Sequence, residues 1–191
     1  LIQTIKGNKN LEFRAVAIAR DGETIIPQGS DQFKVNDLVY VITNQSGVKE
    51  MLEYSGKKNI EEHNLMILGG GRIGARIALE LEKDVNVKII EIDKSESIRL
   101  ANFFKNALVI NGDGRDTELL MQEGVQYMDA FIAVTGNSET NILTCLAAKR
   151  MGVKKTIAEV ENFDYIQLAE SMGIDTVINK KLITASRIFR Y

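Results

Sequence analysis

At 191 residues the chain has room for one medium domain, or for a standard domain and a small one; 45% apolar and 26% charged residues describe a folded globular protein rather than a disordered one. Its 24 Lys and Arg against 26 Asp and Glu gather into no block of either sign, which argues against nucleic acid as a partner. A single cysteine, Cys145, excludes a disulfide framework, a cysteine-rich zinc site and a CxxC redox pair, and no apolar run approaches the roughly 20 residues of a membrane span. With no signal-type segment the chain reads as cytosolic, so any membrane role is expected to be peripheral. It opens at Leu1 without methionine and stops at Tyr191 in a basic, helix-like segment, as expected of a piece of a longer polypeptide.

In chain order, residues 1–56 read as a small β-rich unit. Phe13–Ala19, Glu23–Ile26 and Leu38–Thr43 are predicted strands, with Asp21-Gly22 as a hairpin turn. Pro27 follows the second strand, where a missing N–H harms no central ladder. A short helix is expected over Val48–Tyr54, and a polar linker over 57–63. From 64 to 191 short apolar runs alternate with helical periodicity. The runs Leu65–Leu68, Val87–Ile92, Ala107–Ile110, Ala130–Val134, Thr156–Val160 and Thr176–Ile178 read as strands covered on both faces. Between them, Ile73, Ile77 and Leu81 mark one helix, and Ile142, Leu143, Leu146 and Ala147 predict the apolar stripe of another. Gly124, Gly152 and Gly173 fall where a helix ends before a strand, so a left-handed cap is expected at each. Right-handed crossovers turn this order into an α/β, Rossmann-like doubly wound parallel sheet.

Leu68-Gly69-Gly70-Gly71-Arg72-Ile73-Gly74 places G-x-G-x-x-G between a strand and a helix. Gly69 permits the tight turn, Gly71 lets backbone approach a pyrophosphate, and Gly74 lets the helix pack close on the sheet, with helix N–H groups facing the anion. Glu91, 22 residues after Gly69 at the end of the second strand, stands where a carboxylate accepts ribose hydroxyls. A carboxylate there repels a 2′-phosphate, so NAD(H) is the expected ligand, with ATP or ADP also allowed. Asp113, in Asn111-Gly112-Asp113-Gly114, and Thr135 and Gly136, after the fourth strand, lie at the same carboxyl edge. Asp113 is a candidate for the adenine amino group, and Thr135 and Gly136 for sugar or phosphate; turn and capping chemistry is the alternative.

Those residues, with Glu91-Ile92-Asp93 and the run Ala133 to Asn141 (AVTGNSETN), resemble the RCK (TrkA-N) domains of Trk/Ktr-type potassium-uptake regulatory subunits. The runs Ala15–Arg20, Gly22–Pro27 and Asp37–Ile42 resemble most of an RCK-C (TrkA-C) domain, a small α+β unit lacking its first strand. A C-type domain before an N-type domain is the order at the middle of the family's two-tandem chains, which implies a central fragment. The resemblance carries Gly69, Gly70, Gly71, Arg72, Ile73, Glu91, Asp113, Thr135 and Gly136 onto the family's nucleotide-binding positions. It also implies a non-enzymatic role: bound nucleotide biases a homo-oligomeric RCK ring. That ring would sit peripherally at the cytoplasmic face of the membrane, beneath a TrkH/KtrB-like potassium-translocating subunit. Glu159 departs from the family, many of whose members carry arginine there for phosphate, so a carboxylate implies no phosphate contact, a cation between them, or altered ligand preference.

Two enzyme classes compete with that reading. An NAD-dependent oxidoreductase needs a proton donor beside the nicotinamide. Tyr54 and Lys58 make a Tyr-x-x-x-Lys match, but it precedes the glycine fingerprint, and His63 sits in the linker. A methyltransferase also uses a glycine loop with a strand-end acid, but Ile73 stands where that family has its last glycine.

Overall fold

The computed structural model describes residues 13–20, 23–44, 47–48, 51, 63–182 and 184. The chain divides into two compact units, Leu1–Glu61 and Glu62–Tyr191.

In the first unit, β1 (Phe13–Arg20), β2 (Glu23–Ile25) and β3 (Leu38–Thr43) form an antiparallel sheet in the order β2-β1-β3. Arg20 pairs with Glu23, as in a hairpin closed by two residues, although Asp21 and Gly22 themselves lie outside the described residues. The helix expected over Val48–Tyr54 also falls largely outside them. The loop into β3 is closed by an ion pair: Arg20 donates from Nε and Nη2 to the two oxygens of Asp37, at 2.8 and 2.7 Å, and the Lys34 N–H donates to Asp37 as well. Asn36, between them, takes φ of 72°, a left-handed conformation that asparagine tolerates better than most residues.

The second unit alternates strand and helix: β4 (Asn64–Leu68), α1 (Arg72–Leu81), β5 (Asn86–Glu91), α2 (Lys94–Phe103), β6 (Leu108–Asn111), α3 (Thr117–Gln122), β7 (Ala130–Ala133), α4 (Ser138–Arg150), β8 (Lys155–Glu159), α5 (Phe163–Ser171) and β9 (Thr176–Ile178). The six strands make one parallel sheet in the order β6-β5-β4-β7-β8-β9. The chain thus starts in the middle, winds outward to β6, then returns past β4 to β7, so the crossover helices cover both faces.

Period-two alternation along β4 shows the two layers. Met66 and Leu68 join one core cluster with Leu120 of α3, Cys145 of α4 and Ala169 of α5; Leu65 and Ile67 join the other with Ala78 of α1 and Leu100 of α2. Each leucine, isoleucine or methionine among them, removed from water, contributes about 1.5–3 kcal/mol. The expected left-handed glycines are found, with φ of 78° at Gly124, 107° at Gly152 and 99° at Gly173.

The stripe expected on α4 differs. Ile142 is buried, but Leu143 is 63% exposed, and the face turned to the sheet is Asn141, Ile142, Thr144, Cys145 and Ala148. Polar residues occupy it because each finds a partner: Thr144 Oγ1 donates within the helix to the Thr140 carbonyl at 2.7 Å, and Asn141 reaches across to the sheet edge.

Candidate functional site

The turn from β4 into α1 is built on close backbone approach. Gly69 has φ of 101°, and a Cβ there would lie 3.0 Å from the Val134 carbonyl oxygen. A Cβ at Gly74 would run into the Gly69 carbonyl oxygen, so the first turn of α1 rests directly on the strand end. Gly70 is equally confined, between Leu100 and the Glu91 carboxylate. At Gly71, by contrast, a Cβ would meet no atom within 4 Å, because that position opens into a cleft.

Gly71 is also the N-cap of α1, and it supplies no side-chain cap. Helices α2, α3, α4 and α5 begin with Asp93, Asp116, Asn137 and Asn162, each accepting a first-turn N–H and each followed by an acidic residue. Helix α1 has no acidic residue in its first turn, so its N–H groups and the positive end of its dipole face the cleft uncompensated.

That cleft, of about 510 Å³, lies where the strand order reverses between β4 and β7. It brings together Gly69, Gly71, Glu91, Asp113, Thr135 and Gly136 of the residues expected from the sequence, and adds Ile92, Gly114, Arg115, Asn137 and Thr140. Glu91 is 9% exposed; its Oε2 accepts the Gly70 N–H at 2.7 Å and its Oε1 the Asp93 N–H at 2.8 Å. Each oxygen keeps a lone pair for a further donor. The Asp113 carboxylate is occupied: it accepts the backbone N–H of Arg115 at 2.9 Å and its guanidinium Nη2 at 2.6 Å. The guanidinium, first, and that N–H hold its pKa below the usual carboxylate range. An adenine amino group would therefore meet Asp113 and Arg115 as a unit.

Arg72, Ile73 and Glu159 border a second cleft of about 660 Å³, shared with Gly71, Arg76, Thr135, Gly136 and Lys180. Gly70 and Gly74 border neither cleft and serve close packing. Asn141 joins the two clefts. Its Oδ1 accepts the Thr135 N–H at 3.0 Å and the Thr135 hydroxyl at 2.6 Å, while its Nδ2 donates to the carbonyls of Thr135 at 3.2 Å and Glu159 at 2.8 Å. Asn141, Arg115 and Lys180 were not among the residues expected from the sequence: Asn141 shows in the sequence only as part of the family-like run, Arg115 stands two residues from its partner Asp113, and the partner of Lys180 emerges only from the fold. Tyr54 and Lys58 lie outside the described residues, and the His63 N–H donates to the Asp129 carboxylate at 3.0 Å.

A family model described as the TrkA-N domain matches residues 65–180, and one described as the TrkA-C domain matches residues 3–56. The chain belongs to the TrkA family. A Trk system potassium uptake protein TrkA homolog 2 of Methanosarcina mazei is 37% identical over 176 residues, 91% of this chain and 39% of that protein. The Trk system potassium uptake protein TrkA of Vibrio alginolyticus is 32% identical over 182 residues, 95% of this chain and 40% of that protein. The chain thus spans about two fifths of these TrkA proteins. Among solved structures, the GsuK channel bound to NAD superposes with a TM-score of 0.66 at 20% identity, over 98% of this chain and 33% of that one. GsuK bound to ADP superposes with a TM-score of 0.57 at 23% identity, over 68% of this chain and 34% of that one. Both likenesses share the fold with this TrkA-family chain.

Proposed function

We propose that this chain is the nucleotide-sensing part of a potassium-uptake regulatory subunit, binding NAD(H) or an adenine nucleotide without turning it over. The observation that carries the reading is the uncapped N-terminus of α1, open at Gly71 and standing beside the Glu91 carboxylate at the reversal of strand order. These groups fit the adenosine half of a dinucleotide. Gly71, Arg72 and Ile73 offer N–H groups to a pyrophosphate, Glu91 keeps lone pairs for two ribose hydroxyls, and Asp113 with Arg115 borders the adenine end. Thr135, held by Asn141, and Gly136 form the facing lip.

The domain boundaries fit the same reading, with a partial TrkA-C domain over 1–56, a linker over 57–63 and a TrkA-N domain over 64–191. The M. mazei and V. alginolyticus relatives, both Trk system potassium uptake proteins, support potassium uptake as the process, and the GsuK structures bound to NAD and to ADP support the ligand class. The partner is a TrkH/KtrB-like membrane subunit, and the chain acts from the cytoplasmic face as part of a homo-oligomer. Nucleotide shifts the open–closed balance of that partner only to the extent that it binds one arrangement of the ring better than another.

The test is potassium flux through vesicles carrying the membrane subunit together with the full-length protein. Added nucleotide is expected to change the flux, and Glu91→Ala to remove that response while leaving association with the membrane intact. A flux indifferent to every nucleotide overturns the proposal.

A further inference from the structure

Glu159 is the last residue of β8, and its side chain is 3% exposed. Its Oε1 is in ion-pair contact with the Lys180 ammonium, and neither oxygen receives a hydrogen bond of regular geometry from the described residues. Backbone anchors fix both partners. Asn141 holds the Glu159 carbonyl, and Asn179, just before Lys180, donates to the carbonyls of Val160 at 2.8 Å and Glu161 at 3.1 Å. Lys180 meets only Oε1 of this deeply buried carboxylate, and an oxygen such as Oε2, left without a donor in a cleft wall, marks where a donor arrives from outside.

The second cleft is electrically divided. Arg72 and the open end of α1 form one wall and offer positive charge to a phosphate, with Arg76, ion-paired to Glu80, beside them. The other wall, from β8 and the segment after β9, presents Glu159 with Lys180 half exposed above it. A further phosphate reaching that wall would bring negative charge against a buried carboxylate and compete with it for Lys180. A ring bearing N–H donors would supply the hydrogen bond that Oε2 lacks, and a positively charged ring would add to the compensation Lys180 gives from the exposed side.

We infer that Glu159 makes the second cleft selective for the far half of a dinucleotide, a carboxamide-bearing ring that is cationic when oxidised, over the extra phosphate of a nucleoside triphosphate. The inference rests on the nucleotide-binding reading above. Its consequence is that the site senses oxidation state: NAD+ binds more tightly than NADH, and ATP more weakly than ADP. A unit charge felt through a partly wet cleft, with Lys180 opposing it, gives a preference on the order of tenfold.

Calorimetric titration of the chain with NAD+, NADH, ADP and ATP tests this, in the parent, in Glu159→Gln and in Lys180→Met. The parent is expected to show both preferences. Glu159→Gln keeps the shape but not the charge, so it should bring the NAD+ to NADH ratio to about one and raise ATP toward ADP. Lys180→Met, which leaves the carboxylate unopposed, should widen the NAD+ preference. ADP, which has neither the far ring nor the third phosphate, should bind all three proteins alike and serves as the check on folding. If ADP binds throughout but the parent does not distinguish NAD+ from NADH, or Glu159→Gln keeps the parent's ratio, the inference is overturned alone. If neither ADP nor any other nucleotide binds the parent, the nucleotide-binding reading falls and takes this inference with it.

Discussion

Replacing Asn141 by leucine conserves volume on α4 while removing every polar bond the side chain makes. Asn141 is 1% exposed and satisfies the N–H, hydroxyl and carbonyl of Thr135 and the carbonyl of Glu159. The Glu159 carbonyl is buried and would be orphaned outright, whereas the Thr135 groups lie at a cleft lip that water can reach. An orphaned buried group costs about 1–3 kcal/mol, so one full loss and partial losses at Thr135 sum to about 2–4 kcal/mol. At about 2–4 °C per kcal/mol for a chain of this size, Tm should fall by roughly 5–15 °C. Urea and thermal unfolding followed by circular dichroism measure both quantities. Leu143→Asn, two residues along the same helix but 63% exposed, is the control and should stay within about 0.5 kcal/mol of the parent. Should Asn141→Leu cost less than about 1 kcal/mol, or no more than the control, the claim that this side chain holds the two clefts together is wrong.

Gly71→Val and Gly74→Val should part company: the first adds atoms where the cleft is open and should abolish nucleotide binding with Tm nearly unchanged, the second collides with the Gly69 carbonyl and should lower Tm sharply. A thermal shift assay beside a binding titration reads both. In the first unit, the Arg20 guanidinium, then the Lys34 N–H, lower the Asp37 pKa from 3.8 to about 2. Because the folded pKa lies below the unfolded one, this stabilisation is complete above pH 3.8 and is lost as pH falls through about 2. NMR titration should place the Asp37 carboxyl near the lower value and, in Arg20→Ala, move it back up; an Asp37 that titrates alike in both proteins contradicts the ion pair's role. Cys145 is buried in the sheet-facing side of α4, and that burial pushes its thiol up to about 12. A thiolate-selective reagent at pH 8 should leave it unmodified until the protein unfolds, and fast labelling of the native chain would show that α4 opens locally.

How far the sequence revealed the molecule depended on where each residue's reason lay. Strands β4 and β7 were legible because both faces are covered, which leaves unbroken apolar runs, and Gly124, Gly152 and Gly173 because only glycine takes that backbone cheaply. Of the glycine fingerprint, the spacing was legible but the division of labour was not: that Gly70 and Gly74 pack while Gly71 opens follows from Leu100 and the Gly69 carbonyl, neither of which spacing locates. The face of α4 was misread at Leu143 because hydropathy gives no credit to a buried asparagine whose partners come from the β7 and β8 ends. Glu159 stood out in the sequence as a departure, yet its meaning needed Lys180, 21 residues on, and the depth of burial that only the sheet order provides.

The central claim is that the cleft beside α1 holds a nucleotide, and calorimetric titration of the parent and Glu91→Ala chains with NAD tests it most directly. Saturable binding to the parent, weakened about tenfold or more when the carboxylate that faces the ribose is removed, is the predicted result. Absence of binding, or equal affinity in the two proteins, would contradict it.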